Sequence, residues 1–206
     1  MQENHGLHGG RLDVRGMAKP DKHPTIFAAY DELAVEESFV LVNDHDPRPL
    51  RAEFERDYGP GFDWDYLHQE RGDWQIRITK RAATALPRVV ADTSTLTQQD
   101  PDATGAVFSL RMRQRDLDSN VVALGPRGKI DEHAGPEVDV LIHVISGAGQ
   151  LTTETGTVEL TPGAVLWLPK RSRRAFQAGP EGLTYLTVHQ RRQSLVLHTS
   201  PPAGAG

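Results

Sequence analysis

The chain has 206 residues, a formal net charge of −5 and no cysteine. Without cysteine it can form no disulfide and no thiolate-based zinc or catalytic site. The small negative charge gives no overall attraction to nucleic acid or to anionic membranes. The first residues lack a basic segment followed by an apolar run, so we expect no signal peptide, and no apolar stretch approaches the about 20 residues that span a bilayer. We therefore expect a cytoplasmic protein that binds neither nucleic acid nor a membrane.

The first part of the chain, residues 11–80, predicts the element order β-α-β-α-β-β. Proline suits the first turn of a helix, so a first helix is expected from about His23-Pro24 and a second over Pro49–Tyr58. Short apolar or alternating stretches predict four strands, the last two forming a hairpin: Leu12–Arg15, Phe39–Val42, Phe62–His68 and Trp74–Thr79. This pattern predicts an α+β domain of two layers.

Several charged residues follow the ends of the first two predicted strands. In a β-α-β unit the two strands run parallel, so their carboxyl ends and the starts of the following helices share one edge. Capping would explain the acidic residues there but not two histidines at the same edge. We interpret the set as a weak His/Asp metal site or a partner-docking patch, with capping alone as the alternative: Asp13, Arg15, His23, Asp44, His45 and Asp46.

Five segments of this domain resemble the family called domain of unknown function 2249: Leu12–Gly16, His23–Phe27, Leu41–Leu50, Phe62–Trp64 and Trp74. The resemblance covers residues 11–80 and implies the fold of the TusA/SirA-type sulfur carriers. Those carriers use a reactive cysteine before the first helix, and no thiol is present here, which excludes a persulfide relay. Members of the family often occur beside hemerythrin-like or cupin partners, which implies a link to redox or nitrogen-oxide physiology.

The second part of the chain predicts an all-β domain over residues 105–193. Short alternating stretches recur there at intervals of roughly 8–12 residues, separated by glycine or proline, as in a β-sandwich or barrel. Residues 81–104 lack periodicity and are interpreted as a linker. Residues 1–10 and 194–206 are interpreted as flexible tails.

The stretch from Gly125 to Gln190 resembles the cupin family, whose members form a jelly-roll barrel. Asp131-Glu132-His133, followed by Val138–Ile145 and the Gly147-Ala148-Gly149 turn, resembles the first cupin motif. Gly156 and Pro162-Gly163, followed by Ala164–Pro169, resemble the second. The resemblance implies a jelly-roll fold and, as the family default, a homodimer through the barrel.

The cupin metal ligands are largely replaced in this sequence. His133 fills one first-motif position, and its partner position is either Gly135 or, if His133 is the second histidine, Asp131. Val140 stands where the glutamate belongs and Arg174 where the second-motif histidine belongs. Tight metal binding needs three or four well-placed ligands, so no tight metal and no cofactor are expected. The fallback ligands for Fe, Mn or Zn are Asp131, His133, Asp139 and His143, although strand alternation favours placing His143 on the outer face.

The basic run Lys170–Arg174 leaves two interpretations open. It is either a solvated loop or, at Arg174, an anion-binding group at the mouth of the barrel, where it would join His133. We therefore predict a non-catalytic binding or sensory protein for a small organic ligand, an anionic one if Arg174 faces the barrel. The alternatives are a metal-dependent dioxygenase or isomerase with a degenerate ligand set, and metal-free catalysis with His133 as general base.

Overall fold

The computed structural model describes residues 10–96 and 104–191, so the predicted tails lie almost entirely outside the described part. The chain divides into two compact units. The first comprises residues 1–89 with residues 111–113, and the second comprises residues 90–110 and 114–206. Among the described residues, no helix is long and apolar enough to cross a membrane.

The N-terminal unit has the predicted element order. Its strands are β1 (Arg11–Asp13), β2 (Ser38–Asn43), β3 (Phe62–Glu70) and β4 (Asp73–Lys80), and its helices are α1 (Lys19–Glu32) and α2 (Arg48–Tyr58), followed by the 3-10 turn Gly59–Gly61. The sheet order is β1-β2-β4-β3, with β1 parallel to β2 and the other pairs antiparallel. The parallel pair brings the carboxyl ends of β1 and β2 to one edge.

An aromatic cluster joins the two helices to the sheet. Phe54 is fully buried and stacks on Phe27 with ring centroids 4.8 Å apart, while Tyr30 meets it edge-on at 5.1 Å. Arg113 lies over the Phe27 ring, 4.3 Å from its centroid, and donates from its backbone amide to the buried carboxylate of Asp57. Aromatic pairs of this kind stabilise a small domain by more than the burial of their apolar area alone would contribute.

The second unit is all-β after a single helical turn, α3 (Thr93–Leu96). Its strands are β5 (Gly105–Ser109), β6 (Leu117–Leu124), β7 (Lys129–Ala134), β8 (Val140–Thr152), β9 (Thr157–Leu160), β10 (Val165–Leu168) and β11 (Arg173–Gln190). The order is β10-β8-β11-β6-β5, with β7 also on β11 and β9 also on β8. Since the long strands β8 and β11 each pair with three others, the sheet folds over on itself as a cupin-type jelly roll.

Alternation along β8 decides which side chains fill the barrel. Val140, Ile142 and Val144 are buried, whereas Leu141 and His143 face outward. This confirms the orientation expected from the sequence. Gly147 crosses β11 so closely that a Cβ there would stand 2.2 Å from the carbonyl oxygen of Gly182, and its φ of 73° favours glycine.

The elements differ from the predicted ones at three places. Helix α1 begins at Lys19 rather than near His23, because Pro20 lies in its first turn and Pro24 is inside the helix. Strand β7 was not predicted as a strand at all. The segment from Arg173 was expected to be a loop or barrel mouth, yet it is the first part of β11.

Candidate functional site

Arg174 is the charged residue at the centre of the barrel site. It is 4% exposed and lies on the same side of β11 as Phe176, which faces the barrel core. Its Nη2 donates to Ser172 Oγ (3.1 Å) and to the carbonyl oxygen of Pro169 (3.3 Å). Among the described residues, no carboxylate lies within 4.0 Å of the guanidinium. Burial lowers the pKa of Arg174, with an opposite effect from Tyr185.

Gly135 makes room for this arginine. A Cβ at position 135 would stand 1.6 Å from Arg174 Nη2 and 2.5 Å from its Cζ. The guanidinium therefore occupies the space that a ligating side chain at position 135 would use in the first cupin motif. Glycine at position 135 is therefore required for the position that the Arg174 side chain takes.

A cavity of about 370 Å³ opens beside Arg174. Its wall is mainly apolar, and besides Arg174 it carries several hydroxyl groups and two charged side chains: Leu151, Val158, Leu166, Trp167, Leu168, Pro169, Thr153, Thr155, Ser172, Glu154 and Arg173. Deeper in the barrel, Tyr185 stacks on Phe176 with centroids 5.2 Å apart. Burial raises the pKa of Tyr185 to about 12, although the nearby Arg174 acts in the opposite direction.

The structure does not gather the fallback metal ligands. His133 is exposed, and its ring Nδ1 lies 2.9 Å from the carbonyl oxygen of Asp131, while in the sheet it pairs directly with Arg174. Asp139 accepts the backbone amide of Lys170 (2.8 Å), and His143 lies on the outer face. Within residues 10–96 and 104–191, no group of three potential metal-ligating side chains occurs. The residues present therefore do not fit the metal site of a cupin.

A second cavity, of about 640 Å³, lies at the edge of the N-terminal unit where β1 and β2 end. It brings together four of the six predicted residues: Arg15, His23, Asp44 and His45. Asp13 is held by Arg15 (Oδ2 to Nη2, 2.6 Å), and this contact lowers the pKa of Asp13. Asp46 does not line the cavity, because it accepts from Tyr66 Oη (3.0 Å) and Arg48 Nε (2.7 Å).

Both histidines of this cavity are held by carboxylates. His23 Nδ1 lies 3.2 Å from Glu53 Oε1, and His45 Nδ1 lies 2.6 Å from Asp44 Oδ1. The His45 contact lowers the pKa of Asp44. The two rings thus have separate acidic partners instead of sharing one ligand, which does not support the metal interpretation of this edge.

Four contributors to these sites were missed in the sequence. Lys19 and Lys22 line the N-terminal cavity, and their spacing along one helical turn was the available signal. Glu53, 30 residues from its partner His23, left no local signal. In the sequence, Gly135 indicated only that a metal ligand is absent there. In the structure, its lack of a side chain leaves room for the guanidinium of Arg174.

The fold and the barrel cavity define a cupin-type ligand-binding domain. Residues 132–196 match the family described as "AraC-like ligand binding domain". Residues 11–80 match the family described as "Uncharacterized conserved protein (DUF2249)". The chain therefore joins a DUF2249 domain to a C-terminal cupin domain.

Solved structures similar to this chain include several cupins. A conserved protein of unknown function from Streptococcus pyogenes is 23% identical, with 53% of this chain and 92% of that chain covered and a TM-score of 0.42. A cupin-2 domain protein from Shewanella frigidimarina is 15% identical (50% and 95% covered, TM-score 0.40). A sugar phosphate isomerase of the cupin superfamily from Silicibacter pomeroyi is 25% identical (41% and 59% covered, TM-score 0.37). No curated protein matches the sequence.

Proposed function

We propose that the cupin domain binds a small organic anion through Arg174 and serves a sensory or regulatory role without the metal site of its family. The observation that carries the proposal is a guanidinium only 4% exposed, with no carboxylate within 4.0 Å among the described residues. A buried charge without a counter-charge is costly. An anionic ligand would offset that cost.

The cavity beside Arg174 suits a ligand with a carboxylate and a short apolar body. Guanidinium binds carboxylate through two parallel hydrogen bonds. The apolar part would pack on Leu151, Leu166 and Leu168, which line the same cavity of about 370 Å³. That volume lies within the range of small-molecule sites. The family description, a ligand-binding domain, supports binding as the activity of this unit.

The test is a thermal-shift titration of the full chain with benzoate, with benzyl alcohol as the uncharged comparison. Benzoate is expected to raise the melting temperature of the wild type because ligand that binds only the folded state stabilises it. In Arg174→Met, which keeps an unbranched side chain but removes the guanidinium and its charge, the shift is expected to be lost. The matched control is Arg171→Met, since Arg171 is exposed, is paired with Glu137 and does not line the cavity.

Two results would contradict the proposal. One is an equal shift by benzoate in the wild type and in Arg174→Met. The other is an equal shift by benzoate and benzyl alcohol, which would show an apolar cavity that does not select anions. Nuclear magnetic resonance of each variant confirms that the barrel is folded before the shifts are compared.

We also propose that the protein forms a homodimer through the outer face of β8 and β10. Leu141, Val165 and Trp167 are 46%, 62% and 64% exposed, and Trp167 lies directly opposite Leu141 in the sheet. Contiguous exposed apolar side chains of this kind mark interaction surfaces. A two-fold axis would let the same face cover itself, as in most homodimers.

A further inference from the structure

The second cavity of the protein lies wholly in the N-terminal unit, apart from the barrel. The carboxyl ends of β1 and β2 and the first turns of α1 and α2 surround it. Its floor is apolar and comes from both the sheet and the helices: Val14, Met17, Ile26, Leu41 and Leu50. A volume of about 640 Å³ with an apolar floor and a few polar groups is typical of a small-molecule site.

The charge around this cavity is opposite to that of the unit that contains it. Residues 1–89 and 111–113 carry 14 Lys and Arg against 16 Asp and Glu, a net of −2. The cavity is nevertheless lined by three cationic side chains, Arg15, Lys19 and Lys22, and by one acidic side chain, Asp44. In an acidic domain, such a local excess of cations favours an anion at this place.

The three cations are not equally available to a ligand. Arg15 is bound by Asp13 and lies 3.6 Å from Asp73. The Lys22 side chain is 14% exposed, and its Nζ lies 3.3 Å from Asn43 Oδ1 and 3.5 Å from Asp44. Lys19 forms no ion pair within 4.0 Å among the described residues. An entering anion would therefore meet Lys19 first, with Lys22 behind it.

We propose that this cavity binds a small organic acid, separately from the ligand of the barrel. The acid group would lie between Lys19 and Lys22, and the hydrocarbon part would pack on Met17 and Pro49, the apolar lining residues that are not buried, next to Ile26, Leu41 and Leu50. The apolar floor distinguishes this ligand from an inorganic anion, which would gain nothing from it. The lysines distinguish it from a neutral apolar compound.

The experiment is a titration of the isotope-labelled full chain with hexanoate, followed by nuclear magnetic resonance. Hexanol and acetate are the comparisons, since hexanol keeps the hydrocarbon chain without the carboxylate and acetate keeps the carboxylate without the chain. We expect saturable shifts of the Ile26, Leu41 and Leu50 amide signals with hexanoate, and much weaker effects with the other two. Binding in the barrel would instead move signals of residues 105–191, so the two sites are distinguished in one experiment.

The matched variants test the charges. Lys19→Gln with Lys22→Gln is expected to weaken hexanoate binding about three- to tenfold. Arg71→Gln with Arg77→Gln removes the same charge from exposed positions of the same unit that do not line the cavity, and it is expected to leave binding unchanged. Arg174→Met is also expected to have no effect on these signals, which makes the result independent of the barrel proposal.

Three outcomes would overturn the inference. They are an unchanged affinity in the lysine variant, equal binding of hexanol and hexanoate, and shifts confined to the second unit. If the double variant is not folded, Lys19→Gln alone decides, because Lys19 is exposed and its loss removes no ion pair of the described residues. An unchanged affinity there likewise contradicts the proposal.

Discussion

At the scale of single residues, the barrel site depends on two residues that must be interpreted together, Arg174 and Gly135. Arg174 is buried where cupins carry a histidine, and Gly135 leaves the space that the guanidinium fills. Neither residue has the same meaning alone. Arg174 considered alone indicates only that a metal ligand is missing. Arg174 and Gly135 considered together indicate that the barrel accommodates a buried cation.

The first prediction concerns Gly135→Ala. The added Cβ would overlap Arg174 Nη2, so the guanidinium must leave its hydrogen bonds to Pro169 and Ser172. We expect a loss of about 1–3 kcal/mol in the free energy of unfolding, together with loss of the benzoate thermal shift. Urea unfolding measures the first effect. Gly16→Ala is the control, since nothing lies within 4 Å of a Cβ there, and equal stability losses in the two variants would contradict the argument.

A second prediction at this scale concerns alkaline pH. The pKa of Tyr185 is raised by burial to about 12, from a usual value of 10. The folded state therefore retains the proton after the unfolded chain has lost it. The stabilisation by protonated Tyr185 is fully present below pH 10 and is lost as the pH rises from 10 to 12. The total loss in the free energy of unfolding is up to about 3 kcal/mol.

Tyr185→Phe isolates this effect, because Tyr30 and Tyr58 also have a raised pKa through burial. We expect the urea midpoint of the variant's second unit to fall less steeply between pH 10 and 12 than that of the wild type. Parallel curves would show that Tyr185 ionises in the folded barrel as readily as in the unfolded chain.

At the scale of elements, the alternation of apolar and polar residues correctly predicted those features that depend on the local sequence. The alternation of Val140–Val144 correctly placed the apolar residues inside and His143 outside. Strand β7 and the first part of β11 were missed because Lys129–Ala134 and Arg173–Gln177 carry charged side chains on their exposed positions and few apolar ones inside. Their strand geometry comes from pairing with each other and with β8, which are contacts distant in sequence.

The candidate sites show the same division between local and distant information. The edge that gathers Arg15, His23, Asp44 and His45 followed from the β-α-β connection alone. The partner of His23, Glu53, did not, because it lies on α2 and faces α1 only after both helices pack. The pairing of His133 with Arg174 across β7 and β11 likewise depends on tertiary contacts, because the two residues lie 41 positions apart in the sequence.

At the scale of the whole molecule, the prediction is a dimer that Trp167→Glu disrupts. A glutamate in the middle of an apolar contact would be buried without a counter-charge, so association is expected to weaken at least tenfold. Light scattering after size-exclusion chromatography over a range of concentrations measures this. Val89→Glu is the control, because Val89 is 88% exposed and lies outside β8 and β10. A wild-type chain that stays monomeric at high concentration contradicts the proposal.

The contacts of Arg113 have a practical consequence for dividing the gene. The N-terminal unit ends at Val89 by continuous sequence, yet residues 111–113 belong to it. A fragment truncated at Val89 would leave the Asp57 carboxylate, 4% exposed, without the amide of Arg113 and would uncover one face of the Phe27 ring. Any cut between residues 89 and 111 separates Arg113 from Asp57 and Phe27. Adding residues 111–113 to such a fragment as a separate peptide would restore these contacts.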